Sequence, residues 1–467
     1  MPSLPFSCSP TFSAVATVDG VGGNGTLDPT FPTSYANITA ALAAVHGTVG
    51  DHTIDITTVG PIDEPAGLLF NIAKVITIDG HSSRTHVRIA PGGIGASGGQ
   101  VAIAVRAVNA LSLTFNRLII TPGTGAAGPV SARGLQIYND NNIATTADVT
   151  LNDVMFTGLR PTGHPQAGTA LSDPFFEYEN TRANRLANIR SFNGGASSGL
   201  SVIDFNNTYS NSGGVVTLTL NRSGVSHSVH SATAAAAGGL NIARTQGFHI
   251  QINGGSFFTF LDNSGIRSTT TAAGGNGTLR IQGTQANPVV SYRNGWMLDS
   301  ASTGRNEGAQ LGLGVNANPV IVDYFYAIQN YQEGIEVNGG TSATLRNVIS
   351  AENQNALESG GTAPNVATAA NLFVQSASTL VRLQDSVLFN NVGQTANDNA
   401  FRWNPAAGAS LSTIRTIICG TGDQGNCAAG GLTWTDVDTA VVTAGPHAME
   451  ANPASPLPVA LSAYTVE

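Results

Sequence analysis

One motif returns along this chain and limits what it can fold into: an apolar residue, a polar stretch rich in Asn, Asp and Arg, then a return to apolar. It stands at Phe115-Asn116-Arg117-Leu118, Leu151-Asn152-Asp153-Val154, Leu186-Ala187-Asn188-Ile189, Leu220-Asn221-Arg222-Ser223, Leu345-Arg346-Asn347-Val348, Leu383-Gln384-Asp385-Ser386 and Ile414-Arg415-Thr416-Ile417. A second motif alternates apolar, polar, apolar: Leu135-Gln136-Ile137, Leu200-Ser201-Val202, Leu240-Asn241-Ile242 and Ile335-Glu336-Val337. The steps are about 30 to 38 residues and lack helical periodicity, which excludes ankyrin and tetratricopeptide repeats. The Leu-x-x-Leu-x-Leu spacing of leucine-rich repeats is also missing. The reading that remains is a single all-β domain, a parallel β-helix whose coils of two or three short strands stack on one another.

Composition agrees. Charged residues are 10% of the chain, against about 25% in an average soluble protein. Hydrophobic residues reach 41%, and Val and Ile recur at strand spacing, which excludes a disordered polar chain. Net charge is −9, Lys74 is the single lysine, and the arginines are scattered, so the basic stripe of a nucleic-acid binder is absent. No apolar run approaches the ~18 residues of a membrane span. The composition suits a secreted or surface-displayed protein; a basic-then-apolar leader is not visible at the start.

Along the chain, residues 1–33 are Gly-, Pro- and Ser-rich and read as an extended lead-in. Residues 34–50 hold a capping helix with an apolar face at Ile38, Ala41, Leu42 and Val45, and Gly47 is placed to stop it. Such a helix would cover the open end of the first coil and block edge pairing. Residues 51–440 carry the coils, and 441–467 form a Pro-bearing tail. Gly-rich pieces such as Gly20-Val21-Gly22-Gly23 read as turns. Long insertions at 157–174, 206–214, 268–277 and 300–318 read as loops projecting from a coil corner. Asn330, Asn353, Asn390 and Asn391 are expected to stack as an amide ladder from coil to coil. Cys419 and Cys427 flank a Gly-rich loop and either close a small disulfide hairpin or remain two thiols; Cys8 is left over.

The cap helix, the Val75-Ile76-Thr77-Ile78-Asp79-Gly80 segment and the Asn-bearing coils resemble the pectin-lyase-like right-handed parallel β-helix superfamily over roughly residues 34–440. The resemblance implies right-handed winding in about ten coils. Members include polysaccharide lyases, polygalacturonases, phage tailspikes and bacterial surface adhesins, so the likeness bears on fold more than on activity. The Asp-Asp pair and Gly-His-Gly of polygalacturonase-like enzymes are missing. So is the Arg-x-Pro-x-x-Arg run of pectate lyases, and Ile78-Asp79-Gly80-His81 only distantly echoes their Trp-x-Asp-His segment. Lys74, beside the first coils, is placed for a cap rather than a cleft. No enzyme residue carries over.

One constellation merits chemical weight. The central residues of the second motif, followed coil by coil, read Gln136, Glu177, Ser201, Asn241, Arg267, Met297, Glu336, Glu358 and Arg402. Strand side chains alternate faces, so this column is expected to point outward. Glu336, Glu358 and Arg402 would then place two carboxylates and a guanidinium together, the pair a retaining glycosidase needs. The same residues read more simply as solvated ion pairs. Trp403, Arg267 and Glu177 are candidate ligand-binding residues, with Trp403 offering a stacking surface for sugar, and Trp296 a second. A Ca²⁺ site aided by Asp323, Glu333 or Glu352 is a further use of these oxygens. No organic cofactor is indicated, and His227 and His230 lack a third zinc ligand. The function favoured is structural or adhesive, with a glycan, a surface or sister chains as partner; the rival is a polysaccharide-degrading enzyme.

Overall fold

The computed structural model describes residues 13–25, 27–123, 132–138, 145–157, 203–206, 215–230, 240–243, 248–253, 257–262, 279–282, 289–298, 309–312, 319–328, 333–351, 370–374, 379–389, 399–403, 410–414 and 416–419. Strands dominate these residues, with one α-helix, and the strands pair in parallel within two sheets of eighteen and ten strands. The fold is therefore all-β.

In chain order the first elements are β1 (Ala14–Val18), α1 (Ile38–Gly47), β2 (His52–Ile56), β3 (Ile62–Glu64), β4 (Leu68–Phe70), β5 (Val75–Asp79), β6 (Thr85–Ile89), β7 (Val101–Arg106), β8 (Leu111–Pro122), β9 (Arg133–Tyr138) and β10 (Ala147–Thr157). The larger sheet holds two rows. Row one takes β1, β2, β5 and the first halves of β8 and β10; row two takes β3, β6 and the second halves of β8 and β10. The smaller sheet takes β4, β7 and β9. The chain visits row one, row two and the smaller sheet in that order, then begins again.

Register makes distant residues neighbours. Ile54, Ile78, Phe115, Leu151 and Leu220 pair strand by strand along row one. Each is at most 1% exposed, and all belong to one apolar cluster running from Ala16 to Leu388. Burial of these ranks, at about 25 cal/mol per Å², is the main force that holds successive strands in step. Leu151 meets Leu220 directly; Leu186 lies outside the described residues.

The first motif proves to be a bend rather than a straight strand. Its third residue is left-handed at Arg117 (φ 53°), Asp153 (59°), Arg222 (48°), Asn347 (51°) and Asp385 (48°), where row one turns into row two. Left-handed backbone costs a non-glycine residue about 1–2 kcal/mol, so the bend must be held by other contacts. A hydroxyl from the next strand supplies one: Val154 N donates to Ser223 Oγ at 2.9 Å and Val348 N to Ser386 Oγ at 3.1 Å. The last copy is set one residue away from the expected alignment. Leu383 pairs with Thr413 and Gln384 with Ile414, which brings Thr416 to the position of Ser386. The position after the bend, not the leading apolar residue, aligns the copies: it holds Ser223, Ser386 and Thr416 in three of them and Leu118, Val154 and Val348 in others.

At the N-terminal end α1 buries Ile38, Ala41, Leu42 and Val45, the face expected from spacing. It starts at Ile38 with Asn37 as N-cap, whose Oδ1 accepts from Ala40 N at 2.9 Å. Gly47 is its last helical residue and the extended Thr48 ends it, without a left-handed glycine. Lys74 binds the helix C-terminus, as its place beside the first coils suggested. The lead-in is not merely extended: β1 pairs with β2, so the sheet starts ahead of the helix.

Candidate functional site

Strand residues that alternate with the core face outward, and row one leaves that face open. Thr53, Thr77, Thr114, Thr150 and Thr219 stand in unbroken register, one per strand. Beside them runs a second column, Asp55, Asp79, Asn116, Asn152 and Asn221. All ten are partly exposed. Equivalent residues repeat at about 4.8 Å, the strand spacing.

The second column is tied together by its own side chains. Asn152 Nδ2 donates to Asn116 Oδ1 and Asn221 Nδ2 to Asn152 Oδ1, both at 2.8 Å. An amide ladder therefore exists, at Asn116, Asn152 and Asn221; Asn330, Asn353, Asn390 and Asn391 lie outside the described residues. Above it, Arg117 donates to Asp79 Oδ1 at 2.5 Å and to the Gly80 carbonyl at 2.9 Å. At the bend Arg84 grips Asp153 through two bonds, 2.9 and 2.5 Å, with Arg222 3.7 Å away. Asp55 and Asp79 are register partners on adjacent strands. Burial, and then the charge of Asp79, push the Asp55 carboxyl above the ordinary range.

The smaller sheet carries the column that the second motif anticipated, with different members. Its register reads Ala104, Gln136, Asp204, Asn241, Arg280, Gln310, Glu336, Phe373 and Arg402. Gln136, Asn241, Glu336 and Arg402 were expected there. Asp204 replaces Ser201, while Arg280, Gln310 and Phe373 occupy ranks assigned to Arg267, Met297 and Glu358. Gln136 pairs directly with Asp204. Glu177, Arg267 and Glu358 lie outside the described residues. Met297 belongs to row two of the larger sheet, paired with Phe258 and Ala327. Apolar-polar-apolar triplets occur by chance in such a chain, and insertions of unequal length moved the match off register.

This column is not the solvated face that alternation alone suggests. Ala104 is 0% exposed, Gln136 3%, Gln310 and Glu336 6% and Phe373 8%. Over its first ranks lies the segment 92–100: Ala96 N donates to Gln136 Oε1 at 2.8 Å and Tyr138 Oη to the Ile94 carbonyl at 2.9 Å. Val101, Ala104 and Tyr138 form a second apolar cluster there with Leu69, Ile94 and Ala96. An added Cβ at Gly95 would lie 2.8 Å from the Gly99 carbonyl oxygen, a backbone atom that cannot swing away, so glycine is required for the close approach. Further along, Glu336 accepts from Gln310 Nε2 at 3.0 Å and from Asn338 Nδ2 at 2.7 Å. Its two oxygens are already engaged by amide donors. Arg402 stands two strands away with Phe373 between them.

Trp403 continues the register of Val337 and Val374. Trp296 is in register with Phe257 and Tyr326, an aromatic rank of row two that no spacing in the sequence signals. Asp323 is engaged by Arg346 at 2.9 Å and Asn347 at 3.0 Å, and Glu352 lies outside the described residues. Among the described residues no cluster of His, Cys, Asp and Glu is arranged to hold a metal. Cys419 ends the last described strand; Cys427 lies beyond it.

Comparison with protein-family models, curated proteins and solved structures returned no match. Among the described residues no helix is long and apolar enough to cross a membrane.

Proposed function

We propose that the chain winds as a right-handed parallel β-helix of about ten coils and serves outside the cell as a rigid structural or adhesive element that grips glycans through row one. The observation that carries this reading is the open row-one face, where five threonine hydroxyls repeat in register beside the Asp and Asn column. Hydroxyl and amide groups at a fixed repeat suit a polymer whose own hydroxyls recur along its length. The Asn116–Asn152–Asn221 ladder keeps the face rigid, so little side-chain entropy is lost on contact. The order of strands, row one to row two to smaller sheet, supports the coil reading, as do the ten parallel strands of the smaller sheet.

The test is co-sedimentation with insoluble neutral and acidic polysaccharides, and with cell-wall preparations. Thr114→Val with Thr150→Val keeps the branched shape and removes two hydroxyls; binding should fall about tenfold. Equal binding by the variant would reject row one as the contact face.

A second reading, a polysaccharide-degrading enzyme, is favoured by Asp55 and Asp79: adjacent carboxyls, one raised and one held by Arg117, as an acid and nucleophile pair requires. Reducing-sugar release that Asp55→Asn abolishes would select it over the adhesive role. The residues first favoured for catalysis, Glu336, Glu358 and Arg402, are less suited, because the Glu336 oxygens are engaged and Phe373 separates it from Arg402.

A further inference from the structure

Among the described residues β1 is the terminal strand of row one, pairing with β2 along one edge. Its other edge presents the Val15 N–H and the Thr17 carbonyl. Both are occupied by the segment that follows: Val15 N donates to Asp28 Oδ2 at 3.1 Å, and Tyr35 N to the Thr17 carbonyl at 2.8 Å. Asp19 N donates to the Tyr35 carbonyl at 3.1 Å, and Tyr35 touches the sheet through one isolated bridge to Val18. Among the described residues the edge is thus covered by a strap rather than by another strand.

The strap is held mainly by two carboxylates. Asp19 accepts from Val21 N (2.9 Å), Gly22 N (2.7 Å), Asn24 Nδ2 (2.7 Å) and Ser34 Oγ (2.8 Å). The left-handed backbone of Gly20, Gly22, Gly23 and Gly25 wraps the chain around that side chain. Asp28 accepts from Thr30 N (2.8 Å) as well as from Val15 N. The donors facing both carboxylates are neutral. Phe31, 2% exposed, is the strap's large apolar anchor; Val21 and Leu27 are 76% and 56% exposed. Phe31 packs edge-on against His52 at 5.4 Å, and neither ring nitrogen of that buried histidine has a hydrogen-bond partner.

We propose that residues 19–35 are a releasable guard over the β1 edge, and that once it lifts, β1 pairs edge to edge with β1 of a second copy. An uncovered strand edge is a template for another chain. Two identical edges meeting antiparallel give a closed two-fold contact, which limits the product to a dimer. A segment anchored by one buried ring, Phe31, with Tyr35 packed against the core only at its far end, belongs to the parts of a fold that open below the global stability. Acid favours release. Backbone N–H donors, first from Gly22 and from Val15 respectively, hold the Asp19 and Asp28 carboxyls below the ordinary range. Their contribution is complete above the unfolded carboxylate range and fades as pH falls through and below it.

Light scattering on the full chain tests this. Asp19→Ala with Asp28→Ala at neutral pH should double the mass relative to the unmodified chain. Adding Val15→Pro deletes the edge donor and should restore the original mass. A folded double variant of unchanged mass overturns the proposal, as does a dimer that survives Val15→Pro. Hydrogen exchange on the unmodified chain is independent of whether the variants fold. The Val15 and Tyr35 amides should show protection at least ~100-fold below that of the β5 amides; equal protection would mean that no separable guard exists.

Discussion

Glu64 and Lys74 hold opposite ends of the same helix. Glu64, 2% exposed on β3, accepts from Ile38 N at 2.5 Å, Thr39 N at 2.9 Å and Thr39 Oγ1 at 2.6 Å. Lys74, just ahead of β5, donates to the Val45 carbonyl at 2.6 Å and to that of Thr48. A negative charge at the N-terminus and a positive one at the C-terminus both complement the helix dipole. The cap is therefore locked to the first strands by charge as well as by its apolar face. Glu64→Gln should cost about 2 kcal/mol and Lys74→Met about 1 kcal/mol in urea unfolding. Losses near zero for both would show that apolar burial alone seats the helix.

His46 lies in the last turn of α1 beside Lys74. Burial, and then the Lys74 charge, hold its imidazole below the ordinary histidine range. In the window between the folded value and 6.5 the unfolded chain binds the proton more readily, so stability falls as pH drops through it. His46→Gln should flatten that part of the stability–pH profile, and Lys74→Met should narrow it by raising its lower limit.

Asp55 has the opposite sign. Its raised carboxyl binds a proton more readily in the folded chain, so its favourable contribution exists at acid pH and is lost as pH rises through the folded value. At neutral pH, Asp55→Asn should raise the thermal midpoint slightly, by less than about 1 kcal/mol in stability. Asp79→Asn, which removes the partner of Arg117, should lower it.

Asn152 sits in the middle of the amide ladder and Asn116 at its described start. Asn152→Ala breaks both amide bonds and should cost about 1–2 kcal/mol, roughly twice the cost of Asn116→Ala. Equal costs in denaturant unfolding would mean that the ladder bonds add nothing beyond local packing.

The legibility of this chain varied with the kind of signal. The helix face at Ile38, Ala41, Leu42 and Val45 was readable because helical spacing is local. The Phe115, Leu151 and Leu220 ranks were readable because identical environments select similar residues at each turn of the chain. The motif around Asn116-Arg117 was visible, but its left-handed bend was not, since Arg is an unusual choice there. The Ser223 and Ser386 hydroxyls that complete the bend resembled ordinary polar residues until the strand above was in place.

The outer column of the smaller sheet was the hardest to place. Gln136, Glu336 and Arg402 were picked correctly by alternation, yet Asp204, Arg280, Gln310 and Phe373 were not. Alternation assigns a face; it does not say which distant strand is the neighbour, nor whether a segment such as 92–100 covers that face. The amino-acid order alone determined that this chain builds parallel strands around one apolar interior, because that pattern depends on nearest neighbours along the strand. Only the folded arrangement decided which carboxylates meet, which face stays wet and where Glu64 and Lys74 end up. Those outcomes depend on stacking across tens of residues, where one insertion shifts every contact that follows.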